Sequence, residues 1–119
     1  MTTKLQDFTN EDFCYLTTTG RITGRPHTIE IWFALNGHTL YMLSEGRNKA
    51  DWVKNALLFP HVTVRIKDTA FPGLARLTKD AAEDALARRL IANKYEASDG
   101  QDPNGWYNSA LPVAVDLEL

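Results

Sequence analysis

The sequence predicts a mainly β (α+β) domain, a small barrel of six predominantly antiparallel strands with two helices. Runs of β-branched and aromatic residues are joined by short connections, which antiparallel strands allow. Asn36-Gly37 lies between two of these runs, and this dipeptide is the strongest short signal for a β-hairpin because both turn positions favour positive φ. The run 38–44 is apolar on both faces, which is typical of a strand in a barrel or at a subunit interface.

Six segments have the residue types and the alternation of β-strands. They are residues 13–19, 28–35, 38–44, 61–67, 69–77 and 111–119. The second segment shows the alternation most clearly, because its apolar face carries Ile29, Ile31, Phe33 and Leu35. We therefore expect that segment to be one continuous strand.

The first helix is predicted over residues 49–59. Its apolar stripe comprises Trp52, Val53, Ala56 and Leu57. Pro60 ends the helix because proline lacks the N–H group that a further turn requires.

The second helix is predicted over residues 80–95. Asp80 is a favourable N-cap, and Glu83 follows three residues later, as in a capping box. Ala82, Leu86 and Leu90 align on one face, which is expected to pack against the sheet.

The composition indicates one globular domain, residues 1–119. The chain has 119 residues, an apolar fraction of 44% and a formal net charge of −2. The apolar fraction argues against disorder. The negative net charge argues against nucleic-acid binding that is driven by an overall positive charge. No apolar run reaches the ~18 residues of a membrane span, and the polar N-terminus lacks a signal-peptide core. We therefore expect a cytoplasmic protein that neither binds nucleic acid nor inserts stably into membranes. Cys14 is interpreted as a small buried hydrophobe in the first strand.

A small basic loop, residues 20–26, precedes the second strand. Arg21 and Arg25 flank Thr23-Gly24, and His27 follows the loop. Arginine binds phosphate or carboxylate through its planar fork, and backbone N–H groups add further donors. The loop therefore predicts an anion site at a strand end, the alternative being a solvated turn with incidental arginines.

A second basic segment, residues 44–49, leads into the first predicted helix. It contains Ser44, Gly46, Arg47 and Lys49, and a helix N-terminus favours anions. Because both loops end neighbouring strands, they could form one site at the rim of a barrel. Ordinary loop solvation is the alternative.

Two aromatic residues, Trp106 and Tyr107, follow a turn-rich loop at residues 98–105. This pair could cap a flat ligand, and Tyr107 is the one catalytic candidate, as a proton or hydrogen-bond donor to a substrate. His38 and His61 have no second ligand at a recognisable spacing, so no metal site is predicted.

Several motifs resemble the deazaflavin-dependent nitroreductase family. They are TTTGRITGRPH, the Asn-Gly hairpin, SEGRNKADWVKNALLFPHVTVRI, ALARRLIANKY and LPVAVDLE. The resemblance spans nearly the whole chain, and its specificity comes from the combination of TTTGRxTGxP with DWVKN and P-x-VTV. It implies a split β-barrel of the flavin-binding type.

The resemblance also implies a ligand, the deazaflavin coenzyme F(420). The implied reaction passes a hydride from the reduced coenzyme to an electron-poor small molecule such as a quinone, a nitro compound or an activated enone. By the same resemblance, the cofactor-binding residues are Arg21, Thr23, Gly24, Arg25, His27, Ser44, Gly46, Arg47, Lys49 and Trp52.

Three residues depart from the family's usual pattern. Ile22 stands where a basic residue is frequent, His27 where arginine is frequent, and Glu45 where basic or small residues are common. These changes lower the positive charge around the coenzyme's tail. FMN is therefore the alternative ligand, and a non-catalytic flavin or lipid carrier is the alternative from another class. A homodimer is expected if the two apolar faces of residues 38–44 reflect an interface rather than barrel closure.

Overall fold

The computed structural model describes residues 5–95 and 106–118, and its strands form one antiparallel sheet. The strands are β1 (Cys14–Thr19), β2 (Pro26–Ile31), β3 (Ala34–Asn36), β4 (Thr39–Ser44), β5 (His61–Ile66), β6 (Thr69–Leu77) and β7 (Leu111–Leu117). Their order across the sheet is β2-β1-β5-β6-β7-β4-β3. The predicted class, a mainly antiparallel β fold of the split-barrel type with helices, is confirmed.

The helices are α1 (Asp51–Leu58), α2 (Ala81–Lys94) and the short α3 (Trp106–Ser109), with 3₁₀ turns at Leu5–Phe8 and Arg47–Lys49. The predicted N-cap of α2 is confirmed, because the Asp80 side chain accepts a hydrogen bond from the backbone N–H of Glu83 at 2.8 Å. The predicted packing face is confirmed in part, because Leu86 and Leu90 are half-buried and pack against a hydrophobic cluster, whereas Ala82 is exposed. The fully buried residues of α2 lie one position further along the helix, at Glu83, Ala87 and Ile91.

The prediction of one strand over residues 28–35 is also wrong. Trp32 and Phe33 separate β2 from β3, which raises the strand number from six to seven. β2 pairs with β1 at one end of the sheet, and β3 pairs with β4 at the other. The three residue steps from Ile31 to Ala34 can span at most about 11 Å. The two ends of the sheet must therefore approach each other, so the sheet curls into a barrel.

The Trp32-Phe33 link is held by the C-terminal end of α2. Phe33 is fully buried, and its N–H donates to the Tyr95 hydroxyl at 3.1 Å. Its carbonyl accepts from Lys94 Nζ at 2.9 Å, and that ammonium lies 3.6 Å from the centre of the Phe33 ring. The Trp32 ring stacks on Tyr95 with a centroid separation of 4.1 Å. Burial lowers the pKa of Lys94 to about 8.

The hairpin between β3 and β4 is present, but its turn differs from the prediction. Asn36 pairs with Thr39, so the turn residues are Gly37 and His38. Gly37 has a φ of 62°, whereas Asn36 ends the strand with ordinary backbone angles. Glycine at the first turn position with positive φ is the arrangement of a type II′ turn.

Two hydrophobic clusters cover the two faces of β4. Leu40 and Met42 belong to the cluster inside the barrel. Tyr41 and Leu43 belong to a second cluster, which they form with Ala87 of α2 and other residues. The apolar character of both faces of β4 is therefore explained within one chain, and it no longer argues for a subunit interface.

A charge network around the buried Glu83 side chain ties α2 to the sheet. Arg76 on β6 uses all five of its N–H groups, donating to Glu83, Asp116 and the carbonyl of Leu77 at 2.7–3.3 Å. Glu83 also accepts from the Tyr41 hydroxyl at 2.7 Å. The hydrogen bonds from Arg76 lower the pKa of Glu83 to about 2 and also lower the pKa of Asp116.

Candidate functional site

A pocket of about 470 Å³ lies where the loop after β1, strand β2 and helix α1 meet. Its lining residues are Gly20, Arg21, Ile22, Thr23, His27, Thr28, Ile29, Asp51, Trp52 and Asn55. Three apolar side chains share the wall with six polar or charged ones, and the volume lies in the range of small-molecule sites.

The loop that forms one wall of the pocket is closed by its own backbone. The N–H of Gly20 donates to the carbonyl of Arg25 at 2.8 Å, and the N–H of Gly24 donates to the carbonyl of Gly20 at 2.8 Å. Gly24 has a φ of 75°, a conformation that a side chain would strain. The N–H of Arg25 donates to the Thr23 hydroxyl at 3.2 Å. The loop is thus an ordered turn.

His27 lies directly over Gly20. A Cβ atom at position 20 would come within 2.6 Å of His27 Nε2 and 3.1 Å of the Arg25 carbonyl oxygen. The glycine therefore gives the imidazole ring its place beside the pocket. The ring itself remains exposed to solvent.

Arg21 connects the loop to α1. Its backbone N–H and its Nη1 both donate to Asn55 Oδ1, at 3.1 and 2.8 Å. Its Nη2 lies 3.1 Å from Asp51 Oδ1. Asn55 is only 4% exposed, whereas the Asp51 side chain is 84% exposed. One partner of the guanidinium is thus fixed inside the protein, and the other extends into solvent.

Sequence reasoning missed both of these α1 residues. The predicted apolar stripe included Leu57, which is exposed, whereas the polar residue Asn55 is buried. The available signal was the spacing of Asp51 and Asn55. Residues four apart lie on one face of a helix, here beside Trp52 of the predicted site.

Four of the predicted cofactor-binding residues line this pocket: Arg21, Thr23, His27 and Trp52. Gly24 and Arg25 belong to the same loop without lining it. Their proposed contacts with a cofactor remain predictions from the sequence.

The second basic segment does not line this pocket. The Ser44 hydroxyl donates to the carbonyl of Arg47 at 2.9 Å, and the Arg47 guanidinium donates to the carbonyl of Ser109. Gly46 caps the 3₁₀ turn, and Lys49 is exposed at its end. These contacts stabilise the segment between β4 and α1, and its predicted role in cofactor binding stays a prediction.

The backbone of Tyr107 is part of α3, but its side chain is not among the described parts of the structure. The loop at 98–105 also lies outside the described residues. Its predicted role as a proton donor stays a prediction. Cys14 is fully buried, and burial raises the pKa of its thiol to about 12. This agrees with its interpretation as a small buried hydrophobe.

Residues 5–95 and 106–118 contain no group of three or more His, Cys, Asp or Glu side chains that could hold a metal ion. No helix within these ranges is long and apolar enough to cross a membrane.

A comparison with known families decides the relationship of the chain. The profile of the F420H(2)-dependent quinone reductase family matches residues 2–118. The chain belongs to this family. Membership in the quinone reductase family confirms the predicted relationship to deazaflavin-dependent enzymes and the prediction of an oxidoreductase. No curated protein matches the chain.

Solved structures share the fold of this family member at low sequence identity. A putative 5-nitroimidazole antibiotic resistance protein from Bacteroides thetaiotaomicron has a TM-score of 0.77 and 14% identity, over 97% of this chain and 78% of that chain. An F420 reductase has a TM-score of 0.73 and 18% identity, over 100% and 97% of the two chains. A domain-swapped dimer has a TM-score of 0.69 and 22% identity, over 91% and 81%. Similarities at this level show the fold.

Proposed function

We propose that the protein is a deazaflavin-dependent reductase that uses coenzyme F(420) to reduce an electron-poor small molecule. The observation that carries the proposal is the pocket between the 20–26 loop and α1, which lies in a chain of the F420H(2)-dependent quinone reductase family. Family membership supports the coenzyme, and the volume and donor chemistry of the pocket support this location for it.

The residues of the pocket fit such a coenzyme by chemical type. A flat ring needs apolar walls, which Ile29 and Trp52 offer, and a phosphate needs cationic and N–H donors. Arg21 and Thr23 lie in the same wall as donors of that kind. The donor set suits one anionic group adjoining an apolar ring.

The coenzyme, when bound, supplies the hydride, and the protein's own residues bind and orient it. In this proposal Trp52 and Ile29 contact the ring, and Arg21 with Thr23 holds the anionic group. Gly20 allows His27 to lie beside the ligand. The acceptor class is that of quinones, nitro compounds and activated enones, and Tyr107 is proposed as the proton donor to it.

An FMN-dependent reductase is the second candidate, and one observation favours it. The Asp51 carboxylate lies 3.1 Å from Arg21 and offsets its charge, so the pocket suits a short anionic group better than a long acidic tail. A non-catalytic carrier of a flavin or lipid is the outcome if a ligand binds without any turnover.

We also propose a homodimer. The support is the structural neighbour that forms a domain-swapped dimer. Sedimentation equilibrium tests this directly, and a single species of the chain's own mass, 13.4 kDa, at micromolar concentration would contradict it.

Titration of the purified protein with oxidised F(420), reduced F(420) and FMN, followed by fluorescence, tests the cofactor assignment. Tight binding of F(420) with weak binding of FMN supports the proposal and leads to a screen of quinone and nitro acceptors with the reduced coenzyme. Binding of FMN alone supports the second candidate. If neither ligand binds, the pocket is not a cofactor site.

Arg21→Gln is expected to weaken F(420) or FMN binding by about 1.5–3 kcal/mol, because it removes a charged donor from a partly buried wall. Isothermal titration calorimetry measures the change. Arg65→Gln, which removes an exposed arginine from β5, is the matched control for net charge. Arg25→Gln separates the pocket from the sequence-based prediction. A larger loss for Arg25→Gln than for Arg21→Gln would contradict the pocket assignment.

A further inference from the structure

The Arg21 guanidinium has one fixed partner and one exchangeable partner. Asn55 is buried, and its Oδ1 accepts hydrogen bonds from both the backbone N–H and the Nη1 of Arg21. The Nη1 side of the guanidinium is thereby tied to the same oxygen as the backbone of the loop. Asp51 accepts from Nη2 through one oxygen, and its side chain is 84% exposed. An exposed ion pair with a single contact contributes little stability and is readily displaced by another anion.

The exchangeable partner occupies the pocket side of Arg21. Asp51 is one of the lining residues, as are Arg21 and Trp52. An anionic group that enters the pocket and binds Nη2 therefore meets the Asp51 carboxylate, which holds one of the two N–H groups of that nitrogen. The carboxylate stays close to such a ligand whether or not its own hydrogen bond is displaced, because Asp51 belongs to the first turn of α1, one turn before Asn55.

We propose that Asp51 is a specificity-determining residue of this pocket, which competes with the ligand's anionic group for Arg21 and so reduces the affinity gained from each negative charge on the ligand. The inference rests on the proposed function, in that it treats the pocket as the cofactor site. It implies a preference for ligands with few negative charges near Arg21, and it leaves the affinity for an uncharged ring unchanged.

The comparison of FMN with riboflavin isolates this effect, because the two ligands differ only by the phosphate group. The ratio of their dissociation constants is the gain in affinity that the phosphate supplies. In the wild-type protein this gain is limited by competition from Asp51. In Asp51→Asn the competing charge is removed while the size of the side chain is kept.

We expect Asp51→Asn to tighten FMN binding roughly five- to thirtyfold, the range for removal of one like charge near a solvated anion. Riboflavin binding should change less than about twofold, because no charge on that ligand faces residue 51. Asp68→Asn is the matched control. Asp68 is exposed in the turn between β5 and β6, so its replacement changes the net charge equally without touching the pocket.

Calorimetric titrations of wild-type, Asp51→Asn and Asp68→Asn proteins with both flavins and with F(420) test the inference. An equal FMN-to-riboflavin ratio in the wild-type and Asp51→Asn proteins would overturn it, as would weaker FMN binding by Asp51→Asn. The proposed function fails separately, if none of the three proteins binds any of these ligands.

Inorganic phosphate gives a readout that does not depend on a cofactor. Phosphate should raise the thermal unfolding temperature of Asp51→Asn more than that of the wild-type or Asp68→Asn proteins, with a dissociation constant lowered several-fold, because binding to the folded state stabilises it. Identical phosphate responses of all three proteins would overturn the role of Asp51 even if the flavins do not bind.

Discussion

Phe33→Ala is expected to lower the free energy of unfolding by about 3–5 kcal/mol, the range for truncation of a buried aromatic side chain. Phe33 is fully buried and lies in the link between β2 and β3, where its ring also contacts the Lys94 ammonium at 3.6 Å. Truncation would remove this packing and leave a cavity at the point where the two ends of the sheet approach each other. Urea unfolding followed by circular dichroism measures the loss.

Two comparisons make this prediction specific to the buried ring. Trp32→Ala removes a larger aromatic side chain from the neighbouring position, but Trp32 is 45% exposed, so its loss should cost about half as much or less. In Phe33→Ala, water should reach Lys94, and its pKa should rise from about 8 toward the ordinary value of 10.5. A smaller loss of stability for Phe33→Ala than for Trp32→Ala would contradict the role of the link.

Arg76→Met is expected to lower the free energy of unfolding at pH 7 by about 3 kcal/mol or more, because it leaves the buried Glu83 carboxylate without its cation. Glu83 would retain its hydrogen bonds from the Tyr41 hydroxyl and the Lys79 N–H, but these groups carry no charge to balance the carboxylate. Arg65→Met removes an exposed arginine from the adjacent strand and should cost about 1 kcal/mol or less.

The pH dependence of stability identifies the cause of that loss. The pKa of Glu83 is about 2 in the folded protein and about 4.5 without the fold's influence. Its stabilising effect is therefore complete above about pH 4.5 and declines as the pH falls toward 2, since the unfolded chain binds the proton first. Asp116 acts in the same direction. The difference in stability between wild-type and Arg76→Met proteins should thus shrink between pH 5 and 3, and a constant difference would contradict this assignment.

The antiparallel class could be predicted from the sequence because alternation and turn residues are local signals. The break between β2 and β3 could not, since residues 28–35 alternate without interruption. Phe33 continues the apolar face of that segment, so the pattern does not show that the strand ends at Ile31. At the break, the backbone of Phe33 is bound by Lys94 and Tyr95, about 60 residues later in the chain. Periodicity carries no information about contacts at such separations.

The candidate site shows the same division between local and distant signals. The glycine and arginine residues of the 20–26 loop are recognisable because anion chemistry and turn geometry need these residue types. The position of Asn55 below Arg21 is not, because it depends on how α1 packs against the loop, 34 residues earlier in the chain. The network around Arg76 was missed for the same reason, since Glu83 is also a plausible capping residue within its own helix.

The position of β7 between β6 and β4 has a consequence for synthesis of the chain. β7 joins the β2-β1-β5-β6 part of the described sheet to the β4-β3 hairpin, and residues 111–117 are made after both. Until β7 is inserted, β6 and β4 each lack the strand that covers one of their edges, and such unpaired edges promote pairing with other chains. A chain in which the other strands have formed but β7 has not is therefore exposed to aggregation at two edges at once.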